Sequence, residues 1–385
     1  MKIIHLCDYI QPKLGYQEYY LAKEHAKMGH EVTVVTSDRY YPFKDYKNTV
    51  EKILGPRIVG VKTEKIDGFK IIRLRTLFEL GTRVWLCGLE KEIKKINPDI
   101  IISHGMQDFN VLRAALYNKK KKYRLICDDH SLFSEEKKGI IGMLYYNIYP
   151  YKLILKNSDK LVGVADEVVE YIHRLYKFPK NKITMIPLGA DSDKFRFSEK
   201  LRTKFRKENN ISQDNVVITY TGKINKLKGP HNILLALEKI KDKLNLPVVV
   251  LFVGNIDTDY EQLFLEQKDK FNSNKIKAIH IPAVSNSELV SIYSATDIAV
   301  WPRQASLSMI EAMSCNVPII CCDFLTERYK NENGIPIKED NIDQLANAIE
   351  KLVNYPNKRK EMGKKGRELV EKELSWKAVA ERFLE

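Results

Sequence analysis

The sequence predicts an α/β protein built from two doubly wound parallel sheets, one in each half of the chain. Three features carry that prediction. Short β-branched runs alternate with helix-length stretches, the runs are apolar without interruption, and the alternation breaks once, near residue 190. Strands that are apolar on both faces belong in a sheet covered by helices on both sides.

In the first half, residues 2–7 form an apolar run, and 16–28 have helical spacing closed by Gly29, a natural C-cap. EVTVVT at 31–36 is a strand, and further strands are predicted at 70–75, 99–103 (DIIIS), 123–128 (YRLICD), 160–164 and 182–186. Residues 187–197 (PLGADSDKFRF) then break into turn formers. In the second half strands recur at 215–221 (NVVITYT), 247–253 (PVVVLFV), 275–281, 297–301 and 318–322. Helices are expected between them at 231–243, 258–271, 287–294 and 307–314. From Asn341 onward the chain reads as helical, with Pro356 restarting a helix. The expected architecture is two Rossmann-like domains, 1–190 and 191–372, facing each other across a cleft.

Composition excludes several classes. With 385 residues, 44% hydrophobic and 30% charged, the chain buries a substantial core without staples. Six cysteines in apolar runs with no CxxC spacing argue against a disulfide framework or a zinc knuckle. The N-terminus has no long apolar segment of a signal peptide, and no apolar run approaches the ~20 residues of a membrane span. The expectation is a reduced, cytosolic protein. Its net charge of +14 is uneven, with 33 basic and 23 acidic residues through position 192. That surplus suits a phosphorylated substrate, an anionic membrane surface or nucleic acid, and a solvated lysine-rich surface accounts for it equally. The lysine run at 119–122 lacks interleaved aromatics, which disfavours nucleic acid. The tyrosine-rich apolar stretch 139–155 suits a buried helix kinked at Pro150, or a helix at a membrane interface.

Ligands of open parallel sheets bind beyond the carboxyl ends of the strands, so the residues just after each strand are the candidates. After the first strand, a loop containing Gly15 leads into a helix, but Tyr16 follows it and the GxGxxG fingerprint is absent. His104 and His130 each fall just beyond a strand, where a site residue belongs, though a lone histidine is more often structural. After NVVITYT come Gly222, Lys223, Lys226, Lys228 and Gly229, a basic loop that suits a diphosphate. Ser306, Leu307 and Ser308 suit the start of a helix whose free amides could receive a phosphate. Glu311 lies one turn further, among Ile310, Ala312 and Met313. A carboxylate in such company needs donors, and vicinal ribose hydroxyls supply two. A surface glutamate complementing the helix dipole is the plain alternative.

GHEVTVVTS, IPLGADSDKF, YTGKINKLKG, ELVSIYSATDIAV and IEAMSCNVPIICCD together resemble the retaining nucleotide-sugar glycosyltransferases of family 4, which have the GT-B fold. The resemblance covers essentially the whole chain. It implies that the first domain binds the acceptor, the second binds the nucleotide sugar, and a closing helix at about 373–385 packs back on the first. It places the family's basic pair on Lys223 and Lys228, its ribose-binding glutamate on Glu311 and its pyrophosphate amides on 306–308. Its active-site histidine falls on His104, which would position the donor sugar or incoming hydroxyl, and its glycine loop falls on Gly15. One departure stands out. The family's earlier glutamate, eight residues before the second, is Arg303 here. The implied activity is retaining sugar transfer to a glycan or lipid-linked acceptor, and the expected location is the cytoplasm, with the inner face of a membrane as the alternative that the basic first half and the 139–155 stretch leave open. No cofactor is expected beyond the donor itself. No DxD-like motif stands where a phosphate-bridging cation would need it, so the lysines would replace a metal. The alternative is a sugar-nucleotide-binding or scaffold protein of the same fold with weak or no turnover, for which Arg303 is the main support.

Overall fold

The computed structural model describes the chain except residues 119–121, 131–153, 155, 272–274 and 305. The stretch 139–155, apart from Ile154, and most of the 119–122 run therefore lie outside the described residues. The chain divides into two units, Met1–Leu188 with Val379–Glu385, and Gly189–Ala378.

Unit 1 holds β1 (Lys2–Leu6), β2 (Glu31–Ser37), β3 (Lys62–Ile66), β4 (Phe69–Leu74), β5 (Thr76–Leu80) and β6 (Arg83–Leu86). It continues with β7 (Ile100–His104), β8 (Arg124–Asp129), β9 (Lys160–Gly163) and β10 (Ile183–Met185). The main sheet runs β10-β9-β8-β7-β1-β2-β4-β3. It is parallel except for β3, which pairs antiparallel with β4. Ile3, Ile4, Val34, Ile101, Ile102 and Leu125 are fully buried on these strands, as two-sided coverage requires. The β3 edge and the β5–β6 hairpin are absent from the sequence reading. KTEKI is too charged to read as a strand, and it forms one because an edge strand keeps one side in water. The final helix, Trp376–Leu384, ends in this unit. Arg124 donates to the Leu384 carbonyl, Lys160 to that of Arg382, and Arg382 to that of Met185.

Unit 2 holds β11 (Val216–Thr221), β12 (Val248–Val253), β13 (Ile276–Ile281), β14 (Ile298–Trp301), β15 (Ile319–Cys322) and β16 (Gly334–Ile337). The sheet order is β13-β12-β11-β14-β15-β16, all parallel. Every residue of β11, β12, β14 and β15 is buried. The strand order reverses between β11 and β14, the place where doubly wound sheets open toward a ligand. β16 (GIPI) is short and contains a proline, which hides it in the sequence. The helical tail breaks at Tyr355, with Pro356 at the first position of the next helix, and again at Ser375. Among the described residues no helix is long and apolar enough to cross a membrane.

Candidate active site

The basic loop begins where β11 ends. Gly222 and Gly254 close on each other there, with φ of 135° and 144°. A Cβ on Gly254 would sit 1.9 Å from the Gly222 carbonyl oxygen, so neither a side chain nor an ordinary backbone geometry fits. The loop is further tied down from within. The Tyr220 hydroxyl donates to the Lys223 carbonyl (2.7 Å), and Asn225 Oδ1 accepts the Lys228 amide (3.0 Å). Lys223 is largely exposed and its Nζ stands 3.1 Å from Asp257 Oδ1, while Lys228 is half-buried.

The second segment follows β14. Trp301 Nε1 donates to the Thr221 carbonyl at 2.9 Å, which ties the end of β14 to the end of β11. Ser308 Oγ donates to the same carbonyl at 3.3 Å and lies 2.6 Å from Ser306 Oγ. The short helix Ser308–Ser314 has Leu307 as its N-cap and no side-chain cap. The two serines thus bond each other and the strand end, and not the helix amides, a departure from the capping role their residue type suggests.

Glu311 is only 6% exposed. Burial pushes its carboxyl up to about 7, against the Lys194 charge and a hydrogen bond from Tyr293. The Tyr293 hydroxyl also lies 2.9 Å from Thr221 Oγ1 and bonds Ser308. Tyr293 therefore joins Glu311, Ser308 and Thr221, the residue before Gly222, and Ser306 reaches this group through Ser308. Arg303 works on the other side of the loop. Its Nε is 2.7 Å from Asp340 Oδ1, and its Nη1 donates to the Lys226 carbonyl. It occupies the position eight before Glu311 as a brace on the lysine loop.

Unit 1 sets His104 and His130 against Asp128. The parallel register sets His104 beside Asp128 and His5 beside Ile102, so His5, His104 and Asp128 share one sheet face. His104 Nδ1 lies 2.8 Å from Asp128 Oδ2, and His104 Nε2 lies 2.9 Å from His5 Nδ1. Both ring nitrogens are engaged, so a ring hydrogen bond to a sugar requires one of these bonds to open. Gly15, at φ 67°, ends a short turn against the Tyr20 ring. Tyr16 caps the helix Gln17–Lys27 and is 41% exposed. From that helix Gln17 Nε2 donates to Asp128 Oδ2 at 3.0 Å. His130 is exposed, with Nε2 3.9 Å from Asp128 Oδ1.

The sequence singles out neither Asp128 nor Tyr293, though both join candidate residues. Asp128 is the last residue of the predicted strand YRLICD, where a single acid at a strand end carries no signal of its own, and Tyr293 is a helix residue with an apolar neighbourhood.

Two families match the chain in succession: the family of glycosyltransferase family 4 over residues 17–194, and glycosyl transferases group 1 over 202–369. A capsular polysaccharide biosynthesis glycosyltransferase of Staphylococcus aureus is 27% identical over 258 residues, 62% of this chain and 64% of that protein. A D-inositol 3-phosphate glycosyltransferase of Rhodococcus erythropolis is 26% identical over 242 residues, 60% of this chain and 54% of its own. Those matches span less than two thirds of either relative. An uncharacterised glycosyltransferase of Methanocaldococcus jannaschii is 21% identical over 94% of this chain and 90% of its own. Among solved structures, Anabaena HepE in complex with UDP superposes with a TM-score of 0.72 at 15% identity, covering 100% of this chain and 98% of that one. A glycosyltransferase of Rickettsia africae gives 0.73 at 17%, covering 99% and 96%. At such identities the structures speak for the fold.

Proposed function

The chain belongs to the family 4 glycosyltransferases, and from that membership we propose that it moves a sugar from a nucleoside diphosphate donor to a glycan or lipid-linked acceptor, retaining anomeric configuration. The observation that supports this best is the buried Glu311, joined by Tyr293 to the strand end that launches the lysine loop. In this reading Glu311 accepts hydrogen bonds from the two ribose hydroxyls, which meet the need of a buried carboxylate for donors. Lys223 and Lys228, with the amides at 306–308, hold the diphosphate.

As the glycosidic bond breaks, negative charge grows on the leaving phosphate and the sugar becomes oxocarbenium-like. The ammonium groups stabilise that charge where it develops, which is where catalysis gains most. They do the neutralising that a phosphate-bridging cation does elsewhere, so a chelator should leave the rate unchanged. The acceptor's proton passes to the leaving phosphate. Donor binding falls to unit 2 and acceptor binding to unit 1, with Gly15, Tyr16 and His130 near the acceptor. HepE, a neighbour in fold, has been solved with UDP and with UDP-glucose, which makes a uridine donor the first to try. The basic surplus of the first half suits an acceptor presented at an anionic membrane surface.

Release of nucleoside diphosphate from a panel of donors, with and without acceptor extracts, tests the reading. Acceptor-stimulated release supports it. Tight nucleotide binding with no release from any donor favours the second reading, a sugar-nucleotide-binding protein without turnover, for which Arg303 in place of the family glutamate speaks.

A further inference from the structure

Three imidazoles form one hydrogen-bonded line through unit 1. Asp128 Oδ2 lies 2.8 Å from His104 Nδ1, His104 Nε2 lies 2.9 Å from His5 Nδ1, and His5 Nε2 lies 3.0 Å from His25 Nδ1. His25 Nε2 completes the line at 2.9 Å from the Ala380 carbonyl oxygen. His5 and His25 are fully buried, and the His104 side chain nearly so. The His5 and His104 rings lie 7° from parallel.

Protons can be counted along this line. Each of its four hydrogen bonds needs one proton between its heavy atoms. A carbonyl oxygen can only accept, and so can an ionised carboxylate. Three neutral imidazoles carry three N–H groups between them, one fewer than the four bonds require. The line is therefore complete only with one extra proton, held by a ring or by Asp128. Asp128 also accepts from Gln17 Nε2 (3.0 Å) and from the Gly105 amide (3.3 Å), contacts that favour its ionised form. We infer that Asp128 is a carboxylate, that His104 is an imidazolium in the resting protein, and that His5 and His25 are positioning residues that lock this charge at the end of β7.

The surroundings agree on where the proton sits. Burial opposes charge on His104, but the charge and hydrogen bond of Asp128 and the charge of Glu18 outweigh it and raise its pKa. Burial likewise opposes the Asp128 charge, and His104, His130 and the Gly105 amide together hold the carboxyl below its usual range. Burial pushes the Asp108 carboxyl well up, with Asp8, Asp129 and Asp128 adding to it and Arg83 opposing. Burial and the neighbouring rings push His5 well down, and burial, with His30 and His104 adding to it, brings His25 to about 4. His104 is then a fixed cation with no lone pair to offer, and it serves by charge rather than as a base. That use in catalysis rests on the proposed transfer, whereas the protonation state does not.

The test uses the full chain with 15N-labelled histidine. Near pH 8, where an ordinary histidine with a pKa of about 6.5 is neutral, long-range proton–nitrogen spectra should show one ring protonated on both nitrogens, missing in His104→Gln. His25→Gln can still donate to Ala380 and accept from His5, so it keeps the requirement and the imidazolium. His25→Leu leaves a line of two rings and two bonds, which neutral rings satisfy, and should lower the His104 midpoint by about one pH unit. Three singly protonated rings in the wild type overturn the inference, a measurement that stands even if the leucine variant does not fold. A leucine midpoint equal to that of the glutamine variant also overturns it. If the spectra come out as expected and no donor is turned over, the proton count stands and the transfer reading fails.

Discussion

Arg303 and Asp340, far apart in the chain, form an ion pair with Nε 2.7 Å from Oδ1, and the same guanidinium donates to the Lys226 carbonyl. Asn232 Nδ2 also donates to Asp340 Oδ1, at 3.0 Å. The brace holds the lysine loop from outside while Tyr220 and Asn225 hold it from within. Losing a charged hydrogen bond costs about 1.5–3 kcal/mol, less where water screens it. Arg303→Ala should therefore weaken UDP binding by roughly tenfold, read by calorimetry. Lysine should restore part of it, since one ammonium cannot serve both partners in a fork. Glutamate should bind worse than alanine, because it sets a second carboxylate against Asp340. A glutamate variant that binds better would mean that this position faces the donor and not the brace.

Lys228→Ala and Glu311→Ala should each lower kcat/KM by at least ~10²-fold, the scale of losing one electrostatic stabiliser. A loss under about tenfold in purified, folded variants removes the diphosphate and ribose assignments.

The Glu311 carboxyl has its own pH signature. Its pKa rises from 4.5 to about 7 on folding, so across that window the folded chain binds more protons than the unfolded one. Stability from this group is present at low pH and falls as pH rises toward 7. Glu311→Gln should raise the melting temperature more near pH 8 than near pH 5, with a stability difference on the order of 1–3 kcal/mol. Ribose hydroxyls donating to the carboxylate favour its charged form, so nucleotide binding near pH 7 should release a proton. The binding enthalpy would then vary with buffer ionisation enthalpy in the wild type and not in Glu311→Gln.

Arg206 supports the segment that leads into β14. It is fully buried, donates to the Ala295, Ser212 and Asn215 carbonyls, and pairs with Asp297 at 2.6 Å. Asp297 in turn accepts the Val217 amide at 2.7 Å. Arg206→Met leaves Asp297 paired with Arg202. It should lower stability by about 3 kcal/mol, measured by urea denaturation, with nucleotide affinity retained in the folded fraction.

Liposome flotation tests the membrane proposal. Association with anionic vesicles that falls steeply with salt is expected, and equal flotation with neutral lipid, or none at all, removes the electrostatic basis.

Much of this was legible residue by residue. NVVITYT and PVVVLFV read as buried parallel strands because nothing polar interrupts them, and both are wholly buried. Glu311 stood out because a charge among Ile310, Ala312 and Met313 demands an explanation, and its burial poses the same demand in three dimensions. The charged edge strand β3 and the short β16 escaped notice, since their neighbours and not their own composition make them strands.

The order of strands and loops, the basic turn after β11 and the lone acid beyond β14 were set by the chain's own periodicity and residue chemistry, which act over a few residues at a time. The meetings of His5 with His104, of Tyr293 with Glu311 and of Arg303 with Asp340 were decided only by sheet register and helix placement. Those depend on how distant segments bury their apolar faces together. No local pattern records which polar groups such burial leaves side by side.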